Sequence, residues 1–279
     1  MNKLVHDFLV QRMKLNVIKE CMKAEDVEYK SIFKYLCKNS INEFNYDFVK
    51  KYKARINKIY YDDKADMKYV IHNGKQLYFK RSMSDKEINS YYNAISLEQD
   101  KESPHLYMTD ELCQKSYRCV LDIGAAEGNF ALDIIERVEE IYIIEADAEW
   151  VEALEHTFES YKDKVHIINS FVSDKNEGLK TTIDQIVGNR KDIDLIKIDV
   201  EGVEISVLKG SQKVMNANKP IYLVCAYHYG KEEDDIRLFF ENYKISARKG
   251  YMVFLSQEIL DKPLLRRGVL EIESLGEDK

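Results

Sequence analysis

The residues best suited to chemistry lie in two short segments, each of which follows an apolar run. Asp199, Glu201 and Glu204 place three carboxylates close to Lys197, and His228 follows the second run. Carboxylates and an imidazole can align a hydroxyl group and accept its proton, and an unperturbed imidazole titrates at pH ~6.5. These residue types predict Asp199 and His228 as catalytic residues, with His228 as the proton acceptor.

Most of these side chains also have a purely structural interpretation. Glu204 would favour a helix N-terminus, and Glu201 is placed to pair with Lys197. A lone histidine such as His228 is usually structural, although the end of a strand is where a general base is wanted. Both interpretations stay open for these residues, whereas a functional site is favoured for Asp199.

A glycine-rich turn provides a second candidate site. Gly124 and Gly128 follow an apolar run that contains Asp122, and they let the backbone turn sharply and approach a ligand. A strand that enters a helix through glycines is typical of a nucleotide-type site. Glu145 ends the next apolar run and is placed to accept hydrogen bonds from the ribose of an adenosine-type ligand, unless it is only a solvated carboxylate.

Glu127 distinguishes between two possible cofactors that contain adenosine, NAD and S-adenosylmethionine. It lies directly before the last glycine of the turn, where a pyrophosphate would meet a like charge. S-adenosylmethionine carries an amino group and a sulfonium beside its adenosine, and these groups suit an acidic crevice. The sequence therefore predicts S-adenosylmethionine rather than NAD as the cofactor.

Alternating strand and helix patterns predict how these residues are positioned. Five apolar runs are predicted strands, at 119–123, 140–145, 165–168, 194–199 and 220–227. The helix patterns between them require a parallel, doubly wound sheet of the α/β class, which binds ligands outside the carboxyl ends of its strands. The candidates at or just after those ends are Asp122, Glu145, Phe171, Asp199 and His228.

The flanks of this core have weaker patterns. Residues 1 to about 55 are helix-like, with an apolar face at Leu4, Val5, Phe8, Leu9 and Met13. Asn73-Gly74 predicts a type I′ hairpin, and Ser84 to Glu87 fits a capping box that opens a helix to about residue 98. After the fifth strand, the sequence predicts a helix face and then strand-like segments, at Ile236, Phe239, Phe240 and Tyr243, and at 251–255 and 268–272.

Two sets of segments resemble a known family. The segments 120–130 (VLDIGAAEGNF) and 143–145 (IIE) resemble motif I and the second-strand acid of class I S-adenosylmethionine-dependent methyltransferases. The later segments are similar to the FkbM-type family within that fold: FVSD at 171–174, TID at 182–184, IKIDVEGVE at 196–204 and LKG at 208–210. The resemblance covers about residues 103 to 256 and implies a Rossmann-like methyltransferase domain at 103–279. Residues 1–102 would form a mainly helical accessory region that carries the hairpin.

The resemblance also implies the composition of the site. Many class I methyltransferases have an acid after the third strand that binds adenine, and Phe171 stands near that position here. The adenine would then be held by packing and by Ser173, Asp174 or backbone groups. The predicted cofactor-binding residues are Asp122, Gly124, Ala125, Glu127, Gly128, Phe130, Glu145, Ala146, Phe171, Val172 and Asp199. The predicted substrate-binding residues are His105, Tyr107, Glu201, Glu204 and Tyr227.

The family resemblance implies an O-methyltransferase acting on a small-molecule hydroxyl, most of all on a sugar or glycan precursor. We expect turnover without a metal, because no His or Cys stands close in sequence to the carboxylates and Lys197 balances their charge. One alternative keeps the fold and adds a divalent metal such as Mg²⁺, held by Asp199 and Glu201 with or without His228, as in the methylation of diols. Another is a catalytically silent scaffold whose N-terminal helices bind a partner.

Composition narrows the partners and the compartment. The net charge of −7 does not suit a protein that neutralises nucleic-acid phosphates. No apolar run approaches membrane-spanning length, and the N-terminus lacks a signal-peptide layout, so we expect a cytoplasmic protein. The five cysteines show no Cys-x-x-Cys spacing and are expected to be small buried hydrophobes of a reducing compartment. The N-terminal helix face is expected to pack on the rest of the protein or on a second subunit.

Overall fold

The structure is a computed structural model that describes residues 3–254 and 262–275, with side chains from residue 8 onward. Its N-terminal part contains α1 (Lys3–Lys23), α2 (Val27–Leu36), β1 (Tyr60–Asp62), β2 (Met67–His72), β3 (Lys75–Tyr78) and α3 (Asp85–Glu98). The alternating part begins with β4 (Tyr117–Ile123), α4 (Asn129–Ile134), β5 (Val138–Glu145), α5 (Ala148–Thr157), β6 (Val165–Asn169), β7 (Phe171–Val172), β8 (Lys180–Thr181) and α6 (Ile183–Val187). It continues with β9 (Ile193–Ile198), α7 (Glu204–Lys209), α8 (Gln212–Asn218), β10 (Ile221–Cys225), α9 (Glu232–Phe239), β11 (Tyr243–Ala247), β12 (Met252–Val253), β13 (Leu265–Arg266) and β14 (Val269–Ser274). Short 3-10 helices lie at Asp47–Lys51, Leu112–Gln114, Ile135–Arg137 and Glu159–Tyr161.

The central sheet has the strand order β11-β14-β10-β9-β4-β5-β6. Its five strands from β10 to β6 pair in parallel, which confirms the predicted α/β class and doubly wound sheet. The strands β14 and β11 add an antiparallel edge next to β10. The segment 268–272 was expected to be strand-like and lies in β14, whereas Tyr243 was expected on a helix face and instead begins β11.

Successive residues of each central strand supply two different cores. In β4, Val120 packs into the core shared with α3, α4 and α5, and Leu121 packs into the core shared with α6 to α9. Side chains of a strand point alternately to the two faces of its sheet. Because both faces are covered by helices, the central strands are mostly apolar on both faces, and this is why their sequences show apolar runs rather than strict alternation.

The strand register places the candidate residues at one edge of the sheet. Ile123, the last residue of β4, pairs with Ile144 in β5 and with Ile198 in β9. The glycine turn, Glu145 and Asp199 therefore follow three neighbouring strands at the same level. This is the carboxyl edge at which the sequence analysis expected a ligand.

The hairpin and α3 cover one face of the sheet. Asn73 and Gly74 have positive φ of 50° and 83°, as a type I′ turn requires, which confirms the predicted hairpin. The Ser84–Glu87 capping box is also present at the start of α3. Leu77 of the hairpin shares a core with side chains of α4 and α5, so residues on both sides of the predicted boundary at 102 pack together.

The N-terminal region differs from the expected continuous helical pattern. Residues 37–55 contain only a short 3-10 helix, between loops that a count of apolar residues does not reveal. The buried face of α1 is Met13, Val17 and Cys21, and it packs with α2 and the β12–β13 pair, whereas Phe8 is exposed. The side chains of Leu4 and Val5 lie outside the described residues, as does Leu255 of the expected segment 251–255.

The expectations for the cysteines and for membrane-spanning segments can both be compared with the structure. Cys21, Cys119 and Cys225 are buried as expected. Cys37 is exposed because it directly follows the end of α2, and Cys113 is half-buried because it lies in a short 3-10 helix at the surface. No helix among the described residues is both long and apolar enough to cross a membrane.

Candidate active site

A cavity of about 590 Å³ opens at the carboxyl edge of the central strands. Its volume falls within the range of ~300–1,000 Å³ that is usual for small-molecule sites. The glycine turn, the ends of β5 and β9 and one side of α3 form its wall. The lining includes these predicted residues: Gly124, Ala125, Glu127, Glu145, Ala146, Phe171, Val172, Asp199, Tyr107, Glu201 and Tyr227.

Gly124 allows two strand ends to approach each other. It has a φ of +74°, and a Cβ atom at this position would lie 1.8 Å from the carbonyl oxygen of Asp199. No side chain fits such a gap, and a positive φ is unfavourable for other residues. The approach of Gly124 therefore holds the catalytic candidate Asp199 against the turn that lines the cavity.

Backbone groups fix the carboxylate of Glu145. One of its oxygens accepts a hydrogen bond from Ala126 N at 2.8 Å, and the other accepts from Asp147 N at 2.8 Å. Each carboxylate oxygen can accept a second hydrogen bond. Glu145 thus faces the cavity as a preoriented acceptor, which is the arrangement required to bind ribose hydroxyls.

A second acidic wall lies opposite the sheet. Glu127 is buried and accepts a hydrogen bond of 2.9 Å from the Tyr91 hydroxyl. Burial raises the pKa of Glu127. Burial, together with the charges of Asp199 and Glu127, raises the pKa of Glu98 well above its usual value. The cavity is therefore a poor place for an anion and a good place for a cationic ligand.

Lys197 is an almost fully buried cation in the cavity wall. Its Nζ lies 3.1 Å from Asp122 Oδ1 and donates a hydrogen bond of 2.6 Å to the Gly124 carbonyl. Burial would lower the pKa of Lys197, but the charges of Asp122 and Asp199 outweigh it and raise that pKa. Asp122 is 0 % exposed and lies behind the cavity wall, where it holds Lys197.

Tyr107 anchors one oxygen of Asp199. The Tyr107 hydroxyl donates a hydrogen bond of 2.7 Å to Asp199 Oδ2, and Arg248 holds the Tyr107 backbone through its carbonyl. Asp199 Oδ1 is buried and accepts no hydrogen bond from the described residues. Burial would raise the pKa of Asp199, but Lys197 and the nearby histidines outweigh it and lower that pKa. Asp199 is thus an anchored anion with one oxygen that makes no hydrogen bond within the described residues.

His105 is buried beside Asp199 rather than in the cavity wall. Its Nε2 lies 3.9 Å from Asp199 Oδ2, and its side chain is 2 % exposed. Burial lowers the pKa of His105 to about 4, despite the charge of Asp199. His105 is therefore a neutral imidazole near neutral pH.

His228 lies among carboxylates, which changes its expected protonation. Its Nδ1 is 3.1 Å from Glu204 Oε1 and 3.4 Å from Glu232 Oε2, and its Nε2 is 3.5 Å from Asp199 Oδ1. Burial would lower the pKa of His228, but Glu204 and Glu232 outweigh it and raise the pKa to about 10. The expectation of an unperturbed imidazole is wrong, because the fold brings Glu204 to His228 from a distant part of the chain and turns the nearby Glu232 toward it.

Glu201 and Glu204 take different positions on the same turn. Glu201 has a φ of +57°, and its side chain is 85 % exposed at the cavity. Glu204 is 0 % exposed and accepts hydrogen bonds from Val200 N and Gly202 N at 3.1 and 3.3 Å. Glu204 therefore fixes the turn, whereas Glu201 is free to reach a ligand.

The remaining predicted residues divide between the wall and the packing behind it. Phe171 is 56 % exposed at the cavity, and Tyr227 packs its ring 4.1 Å from the His228 ring. Phe130 is buried edge-on against Tyr107, with the ring centroids 5.6 Å apart. Gly128 faces Leu154 of α5, since a Cβ there would lie 2.5 Å from its Cδ2.

Some residues at the cavity were not predicted from the sequence. Tyr91 and Glu98 line it from α3, and Trp150 and Lys197 complete the wall. A position for Glu98 at the cavity could have been predicted from the sequence, because Glu98 lies seven positions after Tyr91 and therefore on the same face of α3. That face is otherwise apolar. No comparable local signal places α3 over the sheet.

Comparison with known proteins agrees with this architecture. The family model described as the methyltransferase FkbM domain matches residues 78–251, which is more than half of the chain. A crystal structure of an FkbM methyltransferase from Methylobacillus flagellatus KT is similar at 20% identity and a TM-score of 0.49, covering 66% of this chain and 52% of that one. The chain thus spans about half the length of that protein.

Weaker similarities and one negative result complete the comparison. TrmK of M. capricolum, solved with S-adenosylhomocysteine, is 14% identical with a TM-score of 0.39 and covers 62% of this chain and 72% of that one. A methyltransferase-like protein of Streptococcus mutans, also with S-adenosylhomocysteine, is 14% identical with a TM-score of 0.37, covering 58% and 90%. No curated protein gives a significant match. On the extent of the family match, the chain belongs to the FkbM methyltransferase family, and its cofactor is S-adenosylmethionine.

Proposed function

We propose that the protein transfers a methyl group from S-adenosylmethionine to a hydroxyl group of a small molecule, and that this acceptor is a sugar or glycan precursor. The observation that carries the proposal is the state of Asp199. One of its oxygens is anchored by Tyr107, and the other is buried in the cavity wall without a hydrogen bond from the described residues. Such an oxygen is suited to accept a hydrogen bond from a hydroxyl group.

The cavity has groups that fit each part of the cofactor. Glu145 would accept hydrogen bonds from the ribose, and the exposed ring of Phe171 would pack against the adenine. Glu127 and Glu98 would face the cationic end. When bound, S-adenosylmethionine supplies an electrophilic methyl group. The chain itself needs no covalent chemistry for this reaction.

The main task of the chain is alignment. Asp199 would orient the acceptor hydroxyl toward the methyl group and take up its proton as the new bond forms. Alignment of two reactants can supply several kcal/mol, and proton removal by a positioned group adds roughly 10²–10⁴-fold. Asp199 lines the cavity, whereas His228 is 4 % exposed and lies behind it. The geometry thus favours Asp199 as the group that touches the acceptor, with His228 supporting it.

The sugar acceptor is supported by the composition of the wall. The aromatic side chains of Tyr91, Trp150 and Tyr227 lie beside the carboxylates of Glu98 and Glu201. Aromatic faces provide apolar area, and carboxylates accept hydrogen bonds from several hydroxyl groups at once. A hydroxyl-rich ring can pack against the aromatic faces and donate hydrogen bonds to the carboxylates.

A screen of acceptors tests the proposed reaction. The protein would be incubated with S-adenosylmethionine and a panel of nucleotide sugars and free sugars, and mass spectrometry would detect the gain of one methyl group. The Asp199→Asn variant should lower kcat about 10²-fold or more while S-adenosylhomocysteine still binds. Methyl gain on amines but not on hydroxyls would contradict O-methylation, and an unchanged kcat would remove Asp199 from the chemical step.

A further inference from the structure

Three side chains converge at the inner wall of the cavity. His228 Nε2 lies 3.5 Å from Asp199 Oδ1 and 3.7 Å from Glu201 Oε2. The two carboxylates follow β9, and the imidazole follows the neighbouring strand β10. Among the described residues, Asp199, Glu204 and His228 also form a group whose ligand atoms all lie within 4.8 Å of one another.

Two of these atoms are buried and face each other as an ion pair at 3.5 Å, a distance too long for a hydrogen bond. Asp199 Oδ1 and His228 Nε2 each make no hydrogen bond within the described part of the chain. The His228 side chain is 4 % exposed, so water does not freely replace a missing partner. Leaving a buried polar group without a partner is costly, about 1–3 kcal/mol or more for a charged group. A ligand bound by both atoms would supply the close contacts that this longer ion pair does not.

The distances fit a small cation at that point. Ligand atoms bound to one divalent ion at about 2.0–2.2 Å, at right angles, lie about 3 Å apart. The observed 3.5 and 3.7 Å distances exceed this separation by only about half an ångström. Glu201 can make up the difference, because its side chain is 85 % exposed and lies at the cavity.

The other nitrogen of His228 faces two carboxylates, as the second nitrogen of a metal-bound histidine usually does. A histidine that binds a metal through one nitrogen usually donates its other N–H to a carboxylate. Here Nδ1 lies 3.1 Å from Glu204 Oε1 and 3.4 Å from Glu232 Oε2, and both glutamates are 0 % exposed. Glu204 also fixes the turn that carries Glu201, through Val200 N and Gly202 N.

We propose that Asp199, Glu201 and His228 bind one divalent cation of the Mn²⁺ type, which displaces the Nε2 proton of His228 to solvent, and that the acceptor completes its coordination with two adjacent oxygens. An imidazole beside carboxylates favours a first-row transition ion over Mg²⁺. The acceptor class would then be a vicinal diol or a similar two-oxygen group. The acceptor class in this inference rests on the proposed function, whereas the binding of the ion does not. It replaces our expectation of metal-free turnover, because the fold brings His228 to carboxylates from which it is distant in sequence.

Binding of Mn²⁺ alone tests the site. The chelator-treated full chain would be titrated with Mn²⁺, and the six-line electron paramagnetic resonance signal would report the free ion. We expect one bound Mn²⁺ per chain and at least a tenfold loss of affinity in Glu201→Gln, whose side chain is exposed and makes no contact needed for folding. Glu155→Gln, which changes an exposed glutamate of α5, is the matched control and should bind as the unchanged protein does.

Parallel measurements separate the two proposals. S-adenosylhomocysteine binding, measured by calorimetry, should be the same in both variants and after chelation. Equal Mn²⁺ affinity in the unchanged protein and Glu201→Gln, or no bound Mn²⁺ at all, overturns the metal site even if methyl transfer is observed. If Mn²⁺ binds as expected and no hydroxyl acceptor is methylated, the site stands and the proposed O-methylation fails.

Discussion

At the scale of single residues, the site depends on carboxylates whose surroundings give them different roles. Glu145 is held by two backbone N–H groups and stays at the cavity. Asp199 is anchored at one oxygen, and Glu201 is exposed. Asp122 has the same chemical group but is enclosed with Lys197, so it serves the floor of the site. Position in the fold, and not residue type, therefore separates binding residues from supporting ones.

Replacement of Glu145 tests the cofactor half of the cavity. Glu145→Ala should weaken S-adenosylhomocysteine binding about tenfold to a hundredfold, because each ribose hydrogen bond to a charged acceptor contributes about 1.5–3 kcal/mol. Calorimetric titration of both proteins measures the change. Glu155→Ala, on the exposed side of α5, should leave the affinity unchanged. Equal affinities for Glu145→Ala and the unchanged protein would place the ribose elsewhere.

At the scale of elements, the close approach of β4 and β9 positions the site. Gly124→Ala should lower Tm strongly, since the added Cβ would lie 1.8 Å from a backbone oxygen of Asp199 at a φ of +74°. Gly178→Ala is the control, because Gly178 also has a positive φ of +60° but has no atom within 4 Å of the added carbon. Thermal melts that show equal losses in the two variants would mean that backbone strain, and not the clash, is the cause.

The hairpin and α5 are connected by a charged hydrogen bond that depends on pH. Lys80 donates to Asp147, which caps α5, and this hydrogen bond lowers the pKa of Asp147. A lowered folded-state pKa adds stability at pH values above the usual ~3.9, and that stability is lost as the pH falls through the lower value. Asp147→Asn keeps the cap and should give a slightly lower Tm at pH 7.

The same variant should match the unchanged protein in acid, once Asp147 is protonated. The expected effect is small because Asp147 is 45 % exposed. Melting curves of both proteins from pH 7 down to pH 2 measure it. A Tm difference that stays constant across this range would show that the charge of Asp147 is not its source.

At the scale of the whole molecule, the accessory region completes both a core and the cavity. Leu77 and Ile88 share a core with Phe130 and Trp150, and α3 supplies part of the cavity wall. A chain that begins at residue 103 should therefore lack a cooperative melt and should not bind S-adenosylhomocysteine. Circular dichroism and calorimetry measure these properties. Cooperative unfolding with intact binding would instead make the predicted boundary at 102 an independent folding boundary.

The sequence was informative where the determinants are local. The glycine turn, the hairpin at Asn73 and the capping box at Ser84 each follow from a few adjacent residues, and the five central strands follow from apolar runs. The segment of β14 was predicted to be strand-like, but β11 and the antiparallel pairing of the two strands were not predicted, because residues 243–247 and 270–274 pair across a long separation. The protonation of His228 was missed for the same reason, since Glu204 approaches it from another element.

The position of β14 has a consequence for folding during synthesis. It lies between β10 and β11, although it follows both in the chain. The edge of β10 that pairs with β14, and the whole of β11, therefore remain unpaired until residue 274 has left the ribosome. The hairpin β2–β3 also remains uncovered, because about 80 residues separate it from the end of α5, with which it packs. Synthesis of those residues takes roughly 4–16 s at ~5–20 residues per second. A nascent chain of this protein thus presents unpaired strand edges and apolar side chains for seconds before their partners in the fold have been synthesised.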